Sequence, residues 1–502
     1  MMFDNVKRKM KRICEQQKWL SIREKTTIDV DSIFFESYSA SNFQGNVFYI
    51  FKSFFHNSKF TNAVFYIASK SPEHTEKWLK EKKLYDERIT IVQYLSDNYI
   101  RALYSSKYIF NNVTFPMNFV KKDEQIYINS WHGTPLKCIG KQAGNNPLVV
   151  QNMQRDFLSC DYLLSPNHIT TEIYENDFNV KTLMKNDILE IGYPRNEIFY
   201  NEEYRKNERQ RMNIDDKIVV FYMPTWRNNK DIKYNYAEMM ENLSERLGNK
   251  YLVYIKLHPL DKLSELEFKN IRYMPEEYEV YEFLQCCDVL ITDYSSVLFD
   301  FANTGRKIVL YQFDRSEYYN NRGIYHKIEE QIPFPVVSTI EDLERQIKAP
   351  IESYHDFVEC FCNHDKDNPT DLIFHLLKTQ RNDDICKECS LQIVGKRNEL
   401  FFEKNNDMRI VLYLLPMKSN CFFENIENLD DLFFIVGSDK GQYTVKEYLL
   451  LFVYRFIKTR KLCSFIESVF ERERRRMLGQ LKVKEVIGNE RIPKYLKSFV
   501  RR

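Results

Sequence analysis

The sequence predicts an α/β protein in which two doubly wound domains face each other across a cleft and a mainly helical extension follows. Three observations predict it. Short apolar runs alternate with helix-length amphipathic stretches from about Asp29 to Tyr311. The runs are continuous in Val, Ile, Leu and Tyr, as strands buried on both faces of a parallel sheet require. The chain has 502 residues, more than one core ordinarily fills, so it divides into two or three domains.

The first series of runs is Ser32–Glu36, Ala63–Ala68, Thr90–Leu95, Lys107–Phe110, Gln125–Ser130 and Ile188–Ile191. The second is Lys217–Met223, Tyr251–Leu257, Val289–Thr292 and Lys307–Tyr311. The charged stretch Glu202–Arg211 reads as a linking helix. Domains are therefore expected at 1–205, 206–380 and 381–502. Beyond Pro350 the alternation stops, and Tyr354–Cys362 and Asp371–Lys378 read as helices. The extension holds one apolar run, Ile410–Leu415, and a helix rich in Tyr, Leu and Phe near Val445–Lys458.

Composition narrows the function. The formal charge of +2 gives no overall pull toward nucleic acid. Only 13 Gly argues against a glycine-loop nucleotide site. The 11 Cys are scattered, which suits a reducing compartment better than a disulfide framework. Cys360, Cys362 and His364, followed by Cys386 and Cys389, have no spacing typical of a zinc site, so no metal is expected. Charges interrupt every apolar run before it reaches membrane-spanning length. The basic start, Lys7–Arg12, lacks the apolar stretch of a signal peptide, so the protein is expected in the cytoplasm.

Polar residues cluster where strands end, which is where open parallel sheets bind ligands. Gln125–Ser130 runs into Trp131-His132-Gly133-Thr134-Pro135-Leu136-Lys137, and Ile188–Ile191 into Gly192-Tyr193-Pro194-Arg195-Asn196. Lys217–Met223 leads to Pro224-Thr225-Trp226-Arg227, and Tyr251–Leu257 to His258-Pro259. Val289–Thr292 leads to Asp293-Tyr294-Ser295-Ser296 and then to a helix. Ordinary capping would explain two serines at a helix start, but hydroxyls beside free backbone N–H groups also suit a diphosphate. His132 and His258, one from each domain, suit proton transfer with a hydroxyl acceptor near neutral pH. Gly133 and Pro135 hold His132 at its strand end. Lys137, Arg195, Arg227 and Lys256 are cations of the kind that neutralises phosphate.

The segments WHGTPLK (131–137), GYPRN (192–196), YMPTWR (222–227), KLHP (256–259) and ITDYSSVLFDF (291–301) resemble the CDP-glycerol glycerophosphotransferases of teichoic acid and capsule synthesis. Arg322-Gly323-Ile324-Tyr325, Pro333-Phe334-Pro335 and Phe35-Glu36-Ser37 fit the same family, so the resemblance runs in order from about Ile33 to Leu343. It implies a GT-B-type fold of two Rossmann-like domains, an acceptor domain and then a CDP-donor domain. It also implies a metal-independent transfer that needs no cofactor. A polyol hydroxyl attacks the donor's distal phosphate and releases CMP. His132 becomes the general base and His258 the group that stabilises or protonates the diphosphate. Thr292, Asp293, Ser295 and Ser296 lie on the donor side, with Thr134, Pro194, Thr225 and Arg322 in the flanking motifs. One departure is the stretch Ser37–Asn46, which lacks the glycine-rich pattern expected after Glu36-Ser37.

The expected partners are CDP-glycerol or CDP-ribitol and a lipid-linked polyol-phosphate or glycan acceptor. A nucleotide-sugar glycosyltransferase of the same fold is the competing enzyme class. From Lys440 onward 17 Lys and Arg stand against 6 Asp and Glu. That excess, with Lys7–Arg12 and the cluster Arg472–Arg476, suits an anionic membrane surface, and a protein partner is the alternative. The enzyme is thus expected on the inner face of a bacterial cell membrane, with residues after 381 dispensable for the chemical step.

Overall fold

In the computed structural model of the chain, strand pairing follows the apolar runs. The structure describes residues 2–143, 147–181, 183–184, 188–225, 236–256, 270–321, 323–379, 388–394, 409–415, 433–438, 441–487 and 492–500. The first sheet contains β1 (Asp29–Glu36), β2 (Val64–Ser69), β3 (Ile89–Gln93), β4 (Ser106–Asn111), β5 (Ile126–Asn129), β6 (Tyr162–Ser165) and β7 (Leu189–Glu190). Its order is β3-β2-β1-β4-β5-β6-β7, with every pair parallel.

The second sheet contains β8 (Ile218–Tyr222), β9 (Tyr251–Ile255), β10 (Ile271–Tyr273), β11 (Val289–Thr292), β12 (Lys307–Tyr311) and β13 (Val336–Val337). Its order is β10-β9-β8-β11-β12-β13, again parallel throughout. All five residues of β12 are buried, as helices on both faces of a sheet demand. In both sheets the strand order reverses beside the first strand, between β1 and β4 and between β8 and β11. Such reversals open the crevice in which doubly wound sheets bind ligands.

The lobes are joined by buried polar contacts. Glu279 caps the helix Val280–Cys286 and accepts hydrogen bonds from Gly45 N (3.0 Å) and Tyr49 Oη (3.2 Å) of the first lobe. Glu282, one turn on, pairs with Lys52 (3.0 Å) and Lys82 (2.5 Å). The helix Pro369–Thr379, expected with the second domain, closes back on the first: Phe374 meets Phe54 and Phe60, and Thr370 N donates to Glu197 Oε1 (2.7 Å).

The extension differs more from expectation. Beside the helices Val445–Val453 and Arg460–Leu478 it holds a third parallel sheet of β14 (Glu388–Val394), β15 (Arg409–Leu415), β16 (Phe433–Ser438) and β17 (Lys482–Ile487), ordered β16-β15-β14-β17. It is not a separate body. Leu391, Ile393, Leu478, Val486 and Leu496 share one apolar cluster with Trp19, Tyr99, Phe157 and Tyr174 of the first lobe.

The cluster Arg472–Arg476 lies in that junction, which corrects the expectation that it rests on lipid. Arg472 pairs with Glu447 (2.7 Å), Arg474 with Glu467 and Glu471 (2.6 Å each) and Arg476 with Glu473 (2.9 Å). All three guanidinium groups are buried and neutralised inside the protein.

Candidate active site

The first loop begins where β5 ends. Asn129 Oδ1 accepts from Trp131 N (2.8 Å), while its amide donates to Asp156 Oδ2 (3.1 Å). Trp131 takes a φ of +49°, a strained choice for so bulky a side chain. The Asn129 bond and edge packing on Phe157, with ring centroids 5.2 Å apart, hold it there. The turn delivers His132 beside the carboxyl end of β4, with Nδ1 3.1 Å from the Asn112 carbonyl oxygen. A carbonyl only accepts, so Nδ1 carries the proton and Nε2 presents its lone pair. Burial lowers the imidazole to about 4, opposed by the Asn112 bond and aided by the charge of Arg195. At neutral pH the ring is therefore uncharged and able to take a proton.

The departure after Glu36-Ser37 has a physical resolution. Tyr38, Ser39 and Ala40 take φ values of 49°, 51° and 59°, so three non-glycine residues occupy the left-handed region in succession. Tyr38 N donates to Asn112 Oδ1 (2.8 Å), and Ser37 Oγ donates to the Gln44 carbonyl (2.7 Å). Asn112 thus positions both this loop and His132. Neither Tyr38 nor Asn112 stood out in the sequence.

In the second lobe, Asp293 is buried and accepts from Thr225 N at 2.9 and 3.0 Å, while Thr292 Oγ1 donates to the Met223 carbonyl (2.8 Å). Thr225, Thr292 and Asp293 thereby tie the ends of β8 and β11 at the reversal. Ser295 and Ser296 follow, both partly buried. Ser296 precedes the helix Val297–Ala302 and makes no side-chain cap bond. A Cβ added at Gly133 would stand 2.6 Å from Ser296 Oγ, so only glycine lets these two loops approach. The His132 loop and the serine pair therefore meet across the cleft.

Arg195 is placed elsewhere than on an open donor surface. It is fully buried, gripping Asp300 through Nε (3.1 Å) and Nη2 (2.9 Å to each oxygen). Its Nη1 donates to the His132 carbonyl (2.8 Å), and its guanidinium lies over Tyr193 and Tyr281. Asp300, unremarked in the sequence except as part of a motif, is what occupies it.

Lys137 forms a backbone bridge to Ile324, flanked by bonds from Cys138 N to Gly323 O (3.0 Å) and Tyr325 N to Leu136 O (3.1 Å). The His132 loop is thus laced to the Gly323-Ile324-Tyr325 segment of the other lobe. Lys256 is partly buried at the end of β9, and burial pulls its ammonium down while Glu279 pulls it up. Thr134 and Pro194 are buried within their turns. Arg227, His258 and Arg322 lie outside the described residues, as does Cys386. Among the described residues no three His, Cys, Asp or Glu side chains gather as metal ligands.

Two Rossmann-like sheets meeting at their reversals, with a histidine loop against a serine turn, define a GT-B-like transferase. The family described as CDP-glycerol:poly(glycerophosphate) glycerophosphotransferase matches residues 19–377. The teichoic acid poly(glycerol phosphate) polymerase of Bacillus spizizenii is 32% identical over 332 residues, covering 62% of this chain and 81% of that protein. The polymerase of the same description from Bacillus subtilis is 31% identical over 329 residues, covering 59% of this chain but only 43% of its own length. The solved structure of the wall teichoic acid polymerase TagF superposes with a TM-score of 0.63 at 26% identity, covering 75% of this chain and 98% of that one. The chain belongs to the CDP-glycerol glycerophosphotransferase family.

Proposed function

We propose that the enzyme transfers glycerol phosphate from CDP-glycerol to the terminal hydroxyl of a lipid-linked teichoic-acid-type or capsule-type polymer, at the inner face of the cell membrane. The observation that carries this reading is the meeting of His132 and Ser296 through Gly133. It sets a neutral imidazole with an available Nε2 beside a turn whose hydroxyls and backbone N–H groups suit a diphosphate. The names of the two Bacillus relatives favour glycerol over ribitol as the polyol.

In this mechanism the acceptor oxygen attacks the phosphorus that bears the glycerol. A new P–O bond forms as the bond to the oxygen bridging the two phosphates breaks, and CMP departs with that electron pair. His132 Nε2 takes the hydroxyl proton. Ser295 and Ser296 hold the diphosphate oxygens, and His258 meets the charge that develops on the leaving phosphate. Arg195 acts as a positioning residue through the His132 carbonyl. The step uses groups of the chain alone, without a cofactor. Incubation with CDP-glycerol and CDP-ribitol separately, with CMP release and phosphorus NMR of the product, tests it. CMP and a new phosphodiester from CDP-glycerol are expected, and a nucleoside diphosphate product from a nucleotide sugar would instead identify a glycosyltransferase.

A further inference from the structure

The burial of Arg472, Arg474 and Arg476 takes these three away from their expected contact, yet a different surface of the extension is open. The helix Val445–Val453 begins at a capping box between Thr444 and Glu447. Its inner face is accounted for: Leu451 packs with Ile466 and Val469, and Glu447 binds Arg472. Its outer face is apolar as well. Val445, Tyr448, Leu449, Phe452, Phe456 and Ile457 are all exposed, with Leu449 at 64%, Phe452 at 59% and Phe456 at 74%. They recur every three or four residues, so they form one stripe that continues through the turn after the helix.

Exposed apolar side chains scattered singly need no explanation, but a contiguous stripe on a protein otherwise well packed marks a contact surface. What surrounds it indicates the partner. Arg455, Lys458, Arg460 and Lys461 are exposed at the same end of the stripe. Lys494, also exposed, is close enough to Arg455 and Lys497 that, after burial, their charges hold its ammonium down. Glu467 and Glu471 of the next helix, Arg460–Leu478, pair with Arg474. Apolar residues bordered by cations that have no ion pair among the described residues match the two layers of an anionic bilayer surface, headgroup and acyl boundary. The surface also lies outside residues 19–377, the part matched to the family.

We propose that the stripe from Val445 to Ile457, with its rim of Arg455, Lys458, Arg460, Lys461 and Lys494, docks the enzyme on an anionic lipid bilayer. This deepens the membrane placement proposed above and rests on it for its setting. The side chains enter the interface without spanning it, and among the described residues no helix is long and apolar enough to cross a membrane. Gln17 Oε1 accepts from Val445 N (2.8 Å), so the N-terminal helix Met2–Lys25 abuts the start of this surface.

The test is sedimentation of the full chain with phosphatidylglycerol vesicles and with phosphatidylcholine vesicles at low and high salt. Binding to the anionic vesicles alone, weakened by salt, is expected. Leu449→Glu with Phe456→Glu should lower the partition coefficient by about tenfold or more. Lys458→Glu with Arg460→Glu should lower it comparably and flatten the salt dependence. Both pairs are exposed, so thermal melting and CMP release with a soluble glycerol-phosphate acceptor should stay at the wild-type level. Absence of vesicle binding by the full chain, or variants that bind like wild type, overturns the proposal. A self-association that Phe456→Glu abolishes, without vesicle binding, overturns it in favour of a second copy of this chain. Vesicle binding by a chain that releases no CMP from CDP-glycerol upholds the surface and defeats the proposed reaction instead.

Discussion

Arg195 and Asp300 form a two-pronged ion pair across the lobes, each Asp300 oxygen 2.9 Å from Nη2, and both side chains are buried. The same guanidinium reaches the His132 carbonyl, so the contact between lobes and the placement of His132 are one arrangement. Asp300→Asn leaves the arginine charge buried without its counterion. Denaturant unfolding should show a loss of about 3–5 kcal/mol, the usual cost of breaking a buried pair from one side. A loss within experimental error would mean that water reaches the pair.

His132→Ala should lower the rate of CMP release by about 10²–10⁴, the range for removing a general base. CDP affinity by calorimetry should barely change, because in the proposed mechanism the imidazole acts on the acceptor hydroxyl. A folded variant with near-normal turnover would remove His132 from the mechanism.

The acidic limb of kcat/KM should fall at about pH 4 rather than at the ordinary histidine value of about 6.5, because burial lowers the His132 ring. The linkage has a definite sign. With the folded value below the unfolded one, the unfolded chain takes up the proton first. This residue's contribution to stability is thus complete above about pH 6.5 and is lost as pH falls toward about 4. An acidic limb near 6.5 would show the base to be another group or a solvated ring.

Ser295→Ala combined with Ser296→Ala should weaken both CDP-glycerol and CDP, since the two share the diphosphate. Each lost hydroxyl bond to a charged oxygen is worth about 1.5–3 kcal/mol. Unchanged CDP affinity in calorimetry would place the diphosphate elsewhere.

Much of this was legible in the sequence. Parallel strands buried on both faces announce themselves as continuous runs, so β8, β9, β11 and β12 lie where Val, Ile, Leu and Tyr accumulate. The loops at the reversals were legible for the same reason, each following such a run. The roles of individual cations were not. Composition shows a charge but not its counterion, and Asp300 and Glu447, which occupy Arg195 and Arg472, are remote in sequence from them. The third sheet was hidden because β14 begins in Glu388-Cys389-Ser390 and β17 alternates Lys with Val, neither giving a continuous apolar run. The turn at Tyr38–Ala40 was hidden because nothing in Tyr-Ser-Ala advertises a left-handed backbone.

The shared core changes what truncation should do. A chain ending at Thr379 loses Leu391, Leu478, Val486 and Leu496 and strips cover from Trp19, Tyr99 and Phe157. Each large buried residue so exposed forfeits about 1.5–3 kcal/mol. The truncated protein should therefore aggregate or melt far below the full chain in calorimetry, rather than survive as a soluble catalytic unit. A cooperative, active fragment would show the junction to be a docking contact and not a core.

The buried contacts joining the lobes also bear on how substrates come and go. Swinging the halves apart like jaws would pull Asp300 from Arg195 and Gly45 and Tyr49 from Glu279, stranding charge and polar groups in apolar surroundings. The two lobes are therefore held together by contacts that are costly to break. The backbone bonds of Leu136 and Cys138 with Gly323 and Tyr325 add to the same junction, so any relative movement of the two sheets would have to break them as well.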